Sequence, residues 1–257
     1  MQYLGDVACL FRIDGYQFLG CNERKGCMKI DGVEKPALLL AGGQRSSVGE
    51  MAKSISRAFT EGQKTTLAYI GAASGDSYIF FNMMKALLKK AGADKVTFVR
   101  LAKEKVDLEN IKNTLSSADV VFISGGEVED GMKWLNKHLL VDFIKDLYRG
   151  GKQFIGVSAG SIMLGSSWVK WDDPDNDDTA ALFDCIGIIP AVFDTHAEDE
   201  NWKELKTVLR LMGDGARGYG LTRGCAIYAD SHGNLENLEK TVLTYANYNG
   251  QIQLAEE

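Results

Sequence analysis

Several things are scarce in this sequence, and each scarcity narrows its function. Its 257 residues hold five cysteines, an odd number with no C-x-x-C pair. That pattern argues against a disulfide framework and fits reduced thiols in a cytoplasm. No apolar run approaches a membrane-spanning length, since the richest, CIGIIPAVF, is far too short. The opening MQYLGDVACLFRIDG has neither the basic n-region nor the sustained apolar h-region of a signal peptide. Positive charge is also short: 29 Lys and Arg stand against 35 Asp and Glu, a formal net charge of −6. A nucleic-acid partner, which draws on clustered cations, is therefore not expected. Repeats and low-complexity tracts are missing, apart from one acidic segment, WDDPDNDDT at 171–179. A cytoplasmic protein without membrane or nucleic-acid partners is expected, and a homo-oligomer is compatible with the sequence.

What is present is a regular alternation. A hydrophobic share of 45% with 25% charged residues is the balance of a globular protein with an ample core. Residues 1–35 read as an irregular or hairpin-forming lead-in, and 36–257 as one α/β domain. Short β-rich runs recur at ALLLA (37–41), TLAYIG (66–71), KVTFV (95–99), DVVFIS (119–124) and QFIGVS (153–158). Amphipathic stretches separate them: VGEMAKSISRAF, SYIFFNMMKALLKKAG, LENIKNTLSSA and the long GMKWLNKHLLVDFIKDLYRGG. Runs that are apolar throughout suit strands buried on both faces of a parallel sheet. The alternation predicts a doubly wound, largely parallel sheet with helices on both faces. The C-terminal part changes to YGLT, CAIYAD, LENLE, TVLTYAN and QIQLAE, strands with hairpin turns at SHGN and NYNG.

The stretch GVSAG, Gly156 to Gly160, follows the last apolar run and opens a helical segment. A serine between glycines at a strand-to-helix turn is the setting of a nucleophile elbow, though a tight turn with an ordinary serine would read the same way. The elbow would expose the Ser158 hydroxyl and turn the Ala159 N–H toward a developing oxyanion. A nucleophile needs a base, and there are only three histidines. His138 lies in a helical stretch and reads as a partly exposed helix residue, while His232 sits at a hairpin tip. His196 follows CIGIIPAVFDT, at the end of what reads as another core strand, where a catalytic base belongs. An acid should orient it. Asp173 lies 15 residues after Ser158, with Asp172, Asp175 and Asp194 as competitors, and spacing does not choose among them.

Together these stretches resemble the dipeptidase E and cyanophycinase family of serine peptidases, whose fold is like that of class I glutamine amidotransferases. GVSAG, FDCIGIIPAVFDTH, the glycine pair in VVFISGGE, and GYGLTRGCAIY carry the resemblance. It implies Ser158 as nucleophile, His196 as general base, Asp173 as the triad aspartate, and Gly126 (or Gly125) with Ala159 as the oxyanion hole. It also implies no cofactor and no metal. Aspartyl-specific members carry arginines shortly after the histidine; here Glu198, Asp199, Glu200 and Trp202 stand there. Val128 replaces a glutamine, and Arg223 replaces the acidic residue of a G-L-x-E-G pattern. Glu127, Glu200 and Arg223 are candidate substrate-binding residues. The expectation is a serine peptidase-like hydrolase that cleaves a small peptide and disfavours aspartate. Two alternatives are a non-catalytic binding protein on this fold and an α/β-hydrolase esterase. The 38 residues between serine and histidine leave little room for the latter's usual βα units.

Overall fold

The computed structural model describes residues 12–13, 16–17, 34–43, 48–173 and 175–255. Within the 1–35 lead-in, β1 (Arg12–Ile13) and β2 (Tyr16–Gln17) pair antiparallel. The rest of that segment, apart from residues 34 and 35, lies outside the described residues.

The central sheet grows from the apolar runs. Strands β3 (Ala37–Leu40), β4 (Thr65–Ile70), β5 (Ala93–Val99), β6 (Val120–Ile123) and β7 (Gln153–Val157) are parallel, in the order β3-β7-β6-β4-β5. Alternate residues serve opposite faces, the period-two consequence of the pleat. Leu38, Leu40, Leu67, Tyr69 and Phe122 join one core cluster, and Leu39, Ile70, Val121 and Ile123 join the other. Helices α1 (Val48–Ser56) and α2 (Tyr78–Lys90) cover the first face. Helices α3 (Leu108–Ser117), α4 (Val128–Lys137) and α5 (Val141–Arg149) cover the second. So does α6 (Ala159–Leu164), which follows β7 directly. Strands β12 (Ala226–Ala229) and β13 (Leu235–Glu239) extend the sheet antiparallel beyond β3 to seven strands.

Three features depart from the sequence pattern. The long amphipathic stretch predicted from Gly131 to Gly151 is broken between α4 and α5. Leu139 adopts φ +53° there, and the Leu140 N–H closes back on the Leu135 carbonyl. His138, expected partly exposed, is buried at this break, with Nε2 2.9 Å from the Leu101 carbonyl. Next, β8 (Ser167–Trp171) and β9 (Ala180–Asp184) form an antiparallel hairpin that carries the acidic segment at its tip. Last, the strand before His196 is only β10 (Val192–Thr195), and it does not join the central sheet. It pairs in parallel with β11 (Arg217–Leu221), which continues antiparallel to β14 (Val242–Tyr248) and β15 (Gln251–Leu254). Helix α7 (Lys203–Met212) packs on this second sheet through Leu205, Val208 and Leu209. The protein is thus an α/β fold with a large, mostly parallel sheet and a β-rich C-terminal part.

Candidate active site

Ser158 leaves the middle of the central sheet. Its strand β7 lies between β3 and β6, and its N–H donates to the Leu40 carbonyl at 2.9 Å. At the turn it takes φ +52°, ψ −124°, a conformation that an L-residue holds only when its surroundings impose it. The flanking glycines show what imposes it. A Cβ on Gly156 would lie 2.7 Å from the Gly160 carbonyl oxygen, and one on Gly160 would lie 2.1 Å from the Ile123 carbonyl oxygen. The strand-to-helix turn is therefore packed backbone on backbone, and the serine is held out of it. Ser161, one turn into α6, locks the elbow to β3 by accepting the Leu40 N–H and donating to the Leu40 carbonyl.

His196 arrives from the second sheet. Its N–H donates to the Leu221 carbonyl at 2.9 Å, extending the β10–β11 register by one residue, and it takes φ +48°. This turn brings its Nε2 to 2.8 Å from Ser158 Oγ. In the Nδ1–H tautomer the serine hydroxyl donates to Nε2, the contact a nucleophile–base pair requires.

The glycine loop after β6 closes the other side. Gly125 sits against Ser158, since a Cβ there would be 3.1 Å from the serine Cβ. Gly126 has φ +138°, and a Cβ on it would fall 2.0 Å from the Ala73 carbonyl oxygen, so only glycine fits. Its neighbour Glu127 donates its N–H to that same carbonyl at 2.8 Å, which fixes the loop. Ala159 is the first residue of α6, and among the described residues its N–H has no acceptor.

Gly126, Ser158, Ala159 and His196 line one cavity of about 310 Å³, the small end of the range for ligand sites. Its walls include Trp168 and Trp171, and it is acidic. Glu127, Glu129, Asp194, Glu200 and Glu204 line it, and no lysine or arginine does among the described residues. Asp194 is 2% exposed; its Oδ1 accepts the Thr195 N–H at 2.7 Å, and its carboxylate also faces the Leu205 N–H in the first turn of α7. Burial pushes its carboxyl up to about 7, with the charges of Glu204 and Glu200 adding to the effect. Glu204 is raised as well, by burial first and then by Glu200, Glu127 and Glu129.

The remaining candidates lie elsewhere. Asp173 is exposed and is not part of the cavity wall. Its N–H and carbonyl both engage Thr179 Oγ1, and its Oδ1 accepts the Asp175 N–H at 3.1 Å. Its carboxylate is thus turned onto its own loop, and no hydrogen bond joins it to His196 among the described residues. Arg223 is committed to acids outside the cavity: Nη2 lies 2.5 Å from Asp199 Oδ2, and its N–H donates to Glu198 Oε1 at 2.7 Å. Cys185 and Cys225 are buried, and burial pushes both thiols up to about 12, which keeps them unreactive. Sequence reasoning did not single out Glu129, Glu204 or the two tryptophans. The available signal was faint: acidic residues in the first turns of two helices, Glu129 in α4 and Glu204 in α7.

The model of Peptidase family S51 matches residues 37–235. Among solved structures, the fold is similar to that of a peptidase from an acI-B1 Actinobacterium. The TM-score is 0.62 at 18% identity, over 85% of this chain and 93% of that one. It is also similar to a candidate peptidase E protein from Listeria monocytogenes EGD-e, with TM-score 0.57 and 17% identity, over 82% of this chain and 98% of the other. At these identities the structural likeness concerns the fold. No curated protein matches.

Proposed function

The chain belongs to peptidase family S51 and is a serine-type peptidase, and within that assignment we propose that Ser158 and His196 hydrolyse an amide bond of a small peptide. The observation that carries the reading is the 2.8 Å approach of Ser158 Oγ to His196 Nε2 at a strained turn facing the cavity. Ser158 Oγ attacks the carbonyl carbon while its proton passes to His196 Nε2. The carbonyl oxygen becomes an oxyanion held by the N–H groups of Gly126 and Ala159, an effect worth about 3–4 kcal/mol per donor. His196 then gives the proton to the leaving amine, and water repeats the sequence on the acyl-enzyme.

The third member is the finer part of the proposal. For Asp173 to orient the imidazole, its carboxylate must exchange the Asp175 N–H for His196 Nδ1–H when substrate fills the cavity. Catalytic hydrogen bonds commonly tighten only in the substrate complex. The five carboxylates of the wall support a substrate without an acidic side chain, because a low-dielectric cleft magnifies like-charge repulsion. A non-catalytic binding protein and an esterase are not favoured: the serine–histidine pair is assembled, and the family is one of peptidases. A neutral dipeptide such as Leu-Leu tests the reading. The chain should cleave it, and Ser158→Ala should lower the rate by about 10³-fold or more. Equal rates for the two proteins would refute it.

A further inference from the structure

We propose that Ser161 is a positioning residue for the reaction: its buried hydroxyl, acting through the Leu40 backbone, sets the separation of Ser158 from His196. The inference rests on the serine–histidine pair of the proposed function. That pair has to be held across two sheets. Ser158 leaves β7 of the central sheet, His196 leaves β10 of the second, and no strand is common to both. A contact of 2.8 Å between their side chains therefore depends on the backbone that joins the sheets. A misplacement of about 1 Å can cost a catalytic pair about 100-fold in rate.

Leu40 is where the two sides meet. On the side of the nucleophile, its carbonyl accepts the Ser158 N–H at 2.9 Å and the Ser161 hydroxyl at 3.0 Å, and its own N–H donates to Ser161 Oγ at 3.1 Å. The Ser161 N–H returns to the Ser158 carbonyl at 2.8 Å, which closes the elbow into a ring on one residue of β3. On the side of the base, Leu40 stands opposite Ala226 in the β3–β12 register. The Ala41 N–H donates to the Cys225 carbonyl, and the Gly42 carbonyl accepts the Gly224 N–H, each at 3.0 Å. Residues 222–225 lead back to Leu221, whose carbonyl accepts the His196 N–H at 2.9 Å. The continuation of β3 also ends against the base, since a Cβ on Gly43 would lie 3.4 Å from the His196 Cβ. Ser161 is 0% exposed, so water does not replace its hydroxyl. The Ser158 backbone, at φ +52°, keeps its strained geometry only while its surroundings hold it, and Ser161 is one of the tethers. The helix stays in place without that hydroxyl. Ile162, Met163 and Leu164 are buried in the core, and just beyond them the Ser166 N–H donates to the Ala191 carbonyl at 2.8 Å.

The test replaces Ser161 by alanine and follows Ser158 with a fluorophosphonate probe. In the folded variant the labelling rate should fall at least tenfold, and kcat for Leu-Leu should fall alike while KM stays within twofold. In a His196→Ala background the same substitution should change the labelling rate less than twofold, because no alignment is left to lose. A merely structural role would slow both backgrounds alike. That result, or an unchanged rate with His196 present, would overturn the proposal. If Ser161→Ala does not fold, Ser161→Cys keeps a weaker donor and acceptor at the same place. Its labelling rate should then fall at least threefold, again only with His196 present, and an unchanged rate would overturn the proposal. Nitrogen NMR of the His196 ring separates this claim from the serine–histidine reading without any substrate. The Nε2 resonance should move in Ser161→Ala toward its position in Ser158→Ala. A resonance that Ser158→Ala moves and Ser161→Ala does not would remove the positioning role alone. One that Ser158→Ala itself leaves in place would remove the pair, and the role of Ser161 with it.

Discussion

Replacing Asp194 by asparagine should change stability by an amount that swings with pH. The carboxyl is 2% exposed, and burial pushes it from 3.8 to about 7 in the folded protein. Below pH 3.8 both folded and unfolded chains hold the proton, and the group imposes no penalty. As pH rises through 3.8 toward 7, the unfolded chain releases its proton while the folded one keeps it, so stability is progressively lost. Above about 7 both are ionised and the loss is complete. At about 1.4 kcal/mol per pH unit, the gap amounts to about 4 kcal/mol, of which about 3 kcal/mol develops between pH 4.5 and 8. Asparagine keeps the acceptor for the Thr195 N–H, but it turns a buried amide donor toward the Leu205 N–H that the carboxylate faces. That costs about 1–3 kcal/mol at every pH. The variant should therefore be somewhat less stable than the parent at pH 4.5 and gain on it by about 3 kcal/mol by pH 8. Urea unfolding of both proteins across this range measures the difference, and the other carboxyls cancel in the comparison. A difference constant to within about 1 kcal/mol would show that Asp194 is not held protonated by its surroundings.

Other consequences follow from the same geometry. Gly160→Ala would place a Cβ 2.1 Å from the Ile123 carbonyl oxygen, so the elbow must move away from β6; thermal melting should show a large loss, or no folded protein. Gly126→Ala meets the Ala73 carbonyl at 2.0 Å and should displace the oxyanion N–H, lowering kcat by about 10²-fold or more while KM changes little. Asp173→Asn should cut kcat by orders of magnitude with an unchanged melting temperature; full activity would leave a Ser158–His196 pair without a third member. Asp-Leu should be cleaved poorly at low salt, and its emergence as the best dipeptide would contradict the charge of the cavity.

Much of the scaffold is legible in the sequence because it is local. The five apolar runs become β3 to β7 almost residue for residue, since the interior strands β3, β4, β6 and β7 are buried between helices and must be apolar, whereas the edge strand β5 opens with exposed Asp94 and Lys95. The hairpin turn at NYNG is equally plain: Asn249 and Gly250 both take positive φ between β14 and β15, as a two-residue turn demands. The β8–β9 hairpin was not legible, because SWVKW and AALFD have no regular alternation and pair only with each other. That β10 belongs to a second sheet depends on its pairing with β11, more than twenty residues later, which local pattern does not encode. The serine and histidine stand out through their residue types and the glycines around them. The acidic wall does not, because its carboxylates come from the glycine loop after β6, α4, β10, α7 and the turn before α7, and meet only in the folded chain. Spacing does not choose the acid: Asp173 is named by the family resemblance, and in the folded chain its Oδ1 accepts the Asp175 N–H.

The central claim is that His196 activates Ser158. A fluorophosphonate probe measures this most directly, because it bonds only to a serine whose proton is being taken. The folded protein should be labelled once, with the adduct mapped to Ser158. Labelling should vanish in Ser158→Ala, fall at least a hundredfold in His196→Ala, and persist in Cys185→Ala. Absence of labelling in the intact protein, an adduct on another residue, or equal labelling without His196 would contradict it.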